Sequence, residues 1–225
     1  HTNHHINTTA EHPHYTGNQW NDDTRRQSDT LGGGHAHAGC MIYQGGAWPE
    51  KYRGQLFMNN IHGNRMNVDI LEPHGSGFVG HHGQDFLLTR DQWSQMLYMT
   101  YGPDGQVWVI DWYDRQQCHL REPDKHDRSN GRIYRIVFND AKPVKVDLQK
   151  LSDEELVKLL WHENQWYPRH AQRILHERAP AGGKLSEKVE QEFATKEAEA
   201  LPLRGLWAIH SMTDMYEYVD ATSFD

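Results

Sequence analysis

A chain of 225 residues with 36% hydrophobic content and a mean hydropathy of −0.89 is sparse for a core of that size, so one or two domains leaning on partner surfaces are expected. Its 31 acidic residues against 23 basic ones give a net charge of −8, which excludes a general nucleic-acid binder, because phosphate neutralisation needs clustered Lys and Arg. No apolar run is long enough for a signal peptide or a membrane span, and the chain, opening on His1 without methionine, reads as a mature or truncated piece.

Residues 1–34 lack apolar periodicity and end in three glycines, which predicts an irregular arm that lines a site or wraps a neighbour. Residues 35–71 predict a three-stranded β-meander over Gly39–Gln44, Gln55–Ile61 and Arg65–Leu71, with a turn at Gly63-Asn64. A loop rich in Gly and His is expected over residues 72–92. Trp93–Thr100 then forms a strand that leads into the turn YGPDG, where Pro103 fixes φ and Gly105 takes the left-handed conformation. Gln106–Trp112 and Gly131–Phe138 read as two further strands. Two four-stranded units thus fit between residues 36 and 139, and short strands with Gly turns at this spacing suit a propeller or barrel.

At Leu151 the apolar period changes from two to 3.6. Ser152 and Glu155 form a capping box ahead of Leu156, Val157, Leu159 and Leu160. A second helix starts near Pro168, presents Ala171, Ile174 and Leu175, and ends at Pro180. Third and fourth helices are expected from Ser186 and after Pro202. The division is an arm over 1–34, a β part over 35–140 and a helical part over 141–225.

Of the 17 histidines, 13 crowd into the first 126 residues. His35 and His37 point the same way on an extended strand, which makes them a candidate ligand pair; the other reading is a hydrogen-bonded pair that closes the loops. His62 and Arg65 flank a turn and would hold an anionic ligand, unless Arg65 pairs with Asp69 or Asp85. His81, His82 and Asp85 fall in the Gly-rich loop. Asp111, Asp114, Cys118 and His119 are the densest set: the carboxylates suit calcium and the sulfur and imidazole a softer metal. The competing role is structural, with carboxylates capping backbone N–H groups and tying the loop to the sheet. Cys40 and Cys118 are too few for a disulfide framework, and no CxxCH haem attachment motif occurs. No Ser/His/Asp triad pattern, Walker loop, dinucleotide fingerprint or HExxH motif supports a hydrolase or nucleotide-dependent class.

Taken in order, HAHAGCMIYQGGAWPEKYRGQLFMNNIHGNRMNVDIL, GSGFVGHHGQDFL, YGPDGQVWVIDWYD and SNGRIYRI resemble the late blades of a six-bladed propeller of the soluble quinoprotein glucose/sorbosone dehydrogenase type. NQWYPRHAQRILHER and LPLRGLWAIH are similar to the HEAT-like helices that follow that propeller in large secreted proteins of the planctomycete membrane-bound-dehydrogenase type. The resemblance spans about residues 32–212. It implies a periplasmic or secreted location, pyrroloquinoline quinone with calcium as cofactors, oxidation of a sugar or alcohol, and electron transfer to a c-type cytochrome or haem domain. By the same resemblance His62 stands where quinone-binding relatives use a cofactor-contacting lysine, and His35, His37 and Arg65 join it at the mouth. Gln95 and Leu97 stand where those relatives place two arginines. The alternative expectation is a non-catalytic propeller and solenoid that binds a carbohydrate or protein partner.

Overall fold

A computed structural model describes residues 32–33, 37–114, 126–178 and 207. The expectations for residues 1–31, for His35, Cys118 and His119, and for the third helix lie outside them. So does the fourth helix, apart from the helical Trp207. The chain divides into two compact units, His1–Ala141 and Lys142–Asp225.

The first unit carries antiparallel sheets. Strands β1 (His37–Ile42), β2 (Leu56–Asn60), β3 (Arg65–His74) and β4 (Gly77–His82) pair in chain order, and the two-residue β5 (Leu87–Leu88) pairs with β3. Strands β6 (Met96–Tyr101), β7 (Val107–Asp111) and β8 (Arg132–Ile136) form the second sheet. The meander and the three later strands therefore stand within a residue or two of where alternation puts them, except that β3 runs on to His74 and β6 starts at Met96, three residues after Trp93. The loop expected over residues 72–92 is corrected: its first half is the outer arm of a hairpin, because Asp69 to His74 pair with His82 to Gly77. Periodicity misses β4 because GFVGHH lacks an alternating apolar face, and pairing with β3 supplies the order instead. Among the described residues the sheets hold five and three strands, not four and four.

Each first strand is bulged. The register of β1 shifts between Ala38 and Cys40 and that of β6 between Met96 and Tyr98, so Gly39 and Leu97 are the extra residues. Partners across the ladder share a face. The inner face of the first sheet therefore carries Met41, Phe57 and Val68, and that of the second Met99, Tyr101, Val107 and Val109. An aromatic cluster seals the contact. Tyr43 is fully buried, stacks on Trp48 at 4.7 Å and meets Tyr101 edge-on at 5.8 Å. Trp48 also stacks on Phe86 at 4.8 Å, and its indole N–H donates to Gln106 Oε1 at 3.1 Å. The Tyr43 hydroxyl donates to the Gly105 carbonyl at 2.8 Å at the GPDG turn, where Gly105 has φ +70° and a Cβ would come within 2.5 Å of the Gly45 carbonyl oxygen. Both demands single out glycine.

The second unit contains helices α1 (Asp153–Leu159) and α2 (Trp166–Arg178). The capping box forms as the sequence predicts: Glu155 N donates to Ser152 Oγ and Ser152 N to the Glu155 carboxylate. Helix α2 starts two residues before Pro168 because the Asn164 side chain accepts the Trp166 amide at 3.0 Å. Leu148, Leu156, Val157, Leu160, Ala171, Ile174 and Leu175 close its core.

Candidate functional site

The described part of the site lies at one end of the first sheet, where the register aligns His37, Asn60 and Arg65 across three strands. The loop between β4 and β5 stays tied to β3 through Gly83 N to Val68 O at 2.8 Å and Phe86 N to Met66 O at 2.9 Å. That tie sends Phe86 to the aromatic cluster and Asp85 to the opposite, outer face.

Asp85 organises the outer face. Its Oδ2 accepts from Arg65 Nη1 at 2.7 Å and its Oδ1 from Asn67 Nδ2 at 2.9 Å, with His82 Nε2 at 3.8 Å. Arg65 is only 4% exposed, and its Nε also donates to the Gly63 carbonyl at 3.3 Å. Of the pairings open to Arg65 in the sequence, the one with Asp85 forms. Asn60 Nδ2 reaches Gly33 O at 2.9 Å and Asn67 Oδ1 at 3.1 Å, while its Oδ1 accepts from Gly63 N at 2.8 Å. Asn67 Nδ2 also reaches Gly32 O at 3.0 Å. His37 Nε2 lies 3.4 Å from the Gly32 carbonyl and 3.3 Å from Asn60 Nδ2, so its tautomer decides which it bonds. His62 is half-buried in the turn between β2 and β3. His81 is turned outward, paired with Glu72 at 3.0 Å. Asn60 and Asn67 are the members that sequence reasoning missed. The Asn-Asn pair after LFM and the spacing Arg65-x-Asn67 were the only signals.

Asp111 and Asp114 lie at the far end of β7 in the second sheet. Asp111 accepts from Ser94 Oγ at 2.9 Å, from Gln95 N at 2.6 Å and from Tyr113 N at 2.9 Å. Asp114 Oδ2 accepts from Asp127 N at 3.0 Å and Trp112 Nε1 at 3.3 Å, with His126 Nδ1 at 3.6 Å. The Gln95 side-chain amide donates to the Asp114 carbonyl. Both carboxylates thus cap N–H groups and tie the loop to the sheet. Nearby, the Asp127 carboxyl is held below its ordinary value by hydrogen bonds from the Ser129 hydroxyl and amide. Burial pushes the Tyr134 phenol up, and the Asp111 carboxylate pushes it further.

Among the described residues, Arg65 is engaged by Asp85 and the Gln95 amide by the Asp114 carbonyl, and the Asp111 oxygens accept from protein N–H and O–H donors. Among the described residues no group of three or more His, Cys, Asp or Glu side chains is placed to hold a metal ion, and no helix is long and apolar enough to cross a membrane.

A family model described as Domain of unknown function (DUF7133) matches residues 1–140. No curated protein and no solved structure matches the chain.

Proposed function

The chain belongs to the DUF7133 family, and we propose that within it this chain is a binding and scaffolding portion of a quinoprotein-dehydrogenase-like propeller. In this reading residues 37–138 are two adjacent blades, the helices after them are HEAT-like, and the whole works in the periplasm or outside the cell. The blades hold a carbohydrate or protein partner, and the redox cofactor is not held on the described residues. The observation that carries the reading is the commitment of Arg65 to Asp85 at 2.7 Å: among the described residues, the cation of the His37, Asn60 and Arg65 cluster is already paired with a carboxylate. Bulges at matching places in β1 and β6 support the blade assignment, since each blade repeats one strand pattern.

A titration of the complete chain with pyrroloquinoline quinone in calcium chloride, read by absorbance, tests this. The expected spectrum is that of free quinone. A saturable, calcium-dependent shift that is lost in His62→Ala would overturn it. Such a shift would establish the second reading, a sugar- or alcohol-oxidising portion that passes electrons to a c-type haem protein. That second reading is favoured by His62, which keeps part of its surface open beside the Asn60 and Arg65 cluster.

A further inference from the structure

A cavity of about 220 Å³ opens between β5 and the second sheet. Its volume exceeds what one ordered water fills and falls below the roughly 300–1,000 Å³ of pockets that hold drug-sized ligands. Four aliphatic side chains, Leu87, Met96, Val109 and Ile136, line one part of it. Thr89, Asp91, Ser94 and Tyr134 line the rest.

The polar lining is rich in acceptors. Thr89 Oγ1 already donates to Asn64 O at 3.0 Å and Ser94 Oγ to Asp111 Oδ2 at 2.9 Å, so both hydroxyls have lone pairs left for a ligand and no proton. Asp91 Oδ1 accepts the Trp93 amide at 2.9 Å, and among the described residues the Asp91 carboxylate forms no ion pair. Behind Ser94, the Asp111 carboxylate is 1% exposed, accepts from Ser94 Oγ, Gln95 N and Tyr113 N, and has no ion-pair partner among the described residues. Neither flanking arginine compensates them: Arg90 is exposed, and the Arg132 guanidinium lies 4.0 Å over the Tyr113 ring with Nη1 on Asn130 Oδ1 and Gly131 O. Among the described lining side chains, the Tyr134 hydroxyl is the one with a proton to give. Asp91 is half-buried, and an acceptor-lined cavity with aliphatic walls matches a ligand that carries donors and positive charge on a short apolar chain.

We propose that this cavity binds a small primary ammonium compound, with its NH₃⁺ group on Asp91 and Tyr134 and its chain against Leu87, Met96, Val109 and Ile136. An ammonium brings three donors and no acceptor, which an alcohol or a carboxylate of the same length does not.

The test is a calorimetric titration of the complete chain with n-butylammonium chloride, 1-butanol and sodium butyrate at equal ionic strength. Saturable binding of the ammonium is expected, with the alcohol and the carboxylate weaker by about tenfold or more. Asp91→Asn keeps an oxygen for the Trp93 amide and removes the charge; it should weaken the ammonium about tenfold while the thermal midpoint stays put. Tyr134→Phe, at a half-exposed side chain, should weaken binding a few-fold. Absence of saturable binding, equal binding of 1-butanol, or unchanged affinity in Asp91→Asn would each overturn the proposal. The cavity shares no residue with the His37, Asn60 and Arg65 cluster, so the quinone titration and this one fail independently.

Discussion

Gly39 of β1 lies against Leu97 of β6, the extra residue of one bulge facing the extra residue of the other. A Cβ on Gly39 would stand 2.3 Å from the Leu97 carbonyl oxygen and 2.7 Å from Tyr98 Cα, and the φ of Gly39 is +58°. Backbone meets backbone at this point, so neither side has a flexible group that can yield.

Gly39→Ala is therefore expected to destabilise the first unit by about 2–4 kcal/mol, from left-handed strain together with overpacking. Denaturant unfolding checks it, and a midpoint within error of the parent would contradict the contact. Gly54→Ala is the control: its φ is +78° but a Cβ there meets nothing within 4 Å, so only the conformational cost of about 1 kcal/mol applies.

Asp85→Ala removes a carboxylate from the buried Arg65 guanidinium and strips Asn67 of an acceptor. A loss of about 3–5 kcal/mol is expected. Adding Arg65→Met to Asp85→Ala should recover much of that loss, because the buried charge goes with it. A double-mutant cycle with purely additive losses would show that the pair is not coupled.

Tyr43 makes stability fall in alkali. Burial raises its phenol above the ordinary value of 10.0, so the folded chain keeps the proton that the unfolded chain gives up. The contribution is fully present below about pH 10 and is lost as pH rises through the folded value. Tyr43→Phe should flatten that part of a stability-versus-pH curve. At neutral pH the same change removes the acceptor of the Ala47 and Trp48 amides, at a cost of about 1–3 kcal/mol.

Ser152→Ala removes the acceptor of the Glu155 amide at 3.2 Å. About 1 kcal/mol is expected, read as faster hydrogen exchange at the amides of the first turn of α1. Unchanged exchange there would mean that the cap does not hold the helix start.

The sequence exposes what is local and hides what is paired at a distance. Val107–Asp111, the GPDG turn and the Ser152 box declare themselves through composition, proline, glycine and a three-residue spacing. Strand β4 does not, because its order comes from β3 rather than from its own residues. The candidate site divides the same way. His37, His62 and Arg65 stand out as types, and their neighbourhood in the sequence suggests a shared mouth. What Arg65 does was open until Asp85, twenty residues on, came back over the sheet. Asn60 and Asn67 carry neither charge nor metal affinity that would single them out, yet they bridge Gly32, Gly33 and Asp85. The alternative role for Asp111 and Asp114, capping N–H groups, was legible in their place after a strand and before a polar loop.

Strand β3 pairs with β2 along one edge, through residues 65–69, and along the other with both β5, through 65–66, and β4, through 69–74. A slip of one position would swap the faces of the whole strand. Arg65 would turn toward the aromatic cluster and Met66 toward Asp85, and all three ladders would break at once. The strand therefore acts as the ruler of the sheet: three partners read their alignment from it, and an error in any one of them is vetoed by the other two.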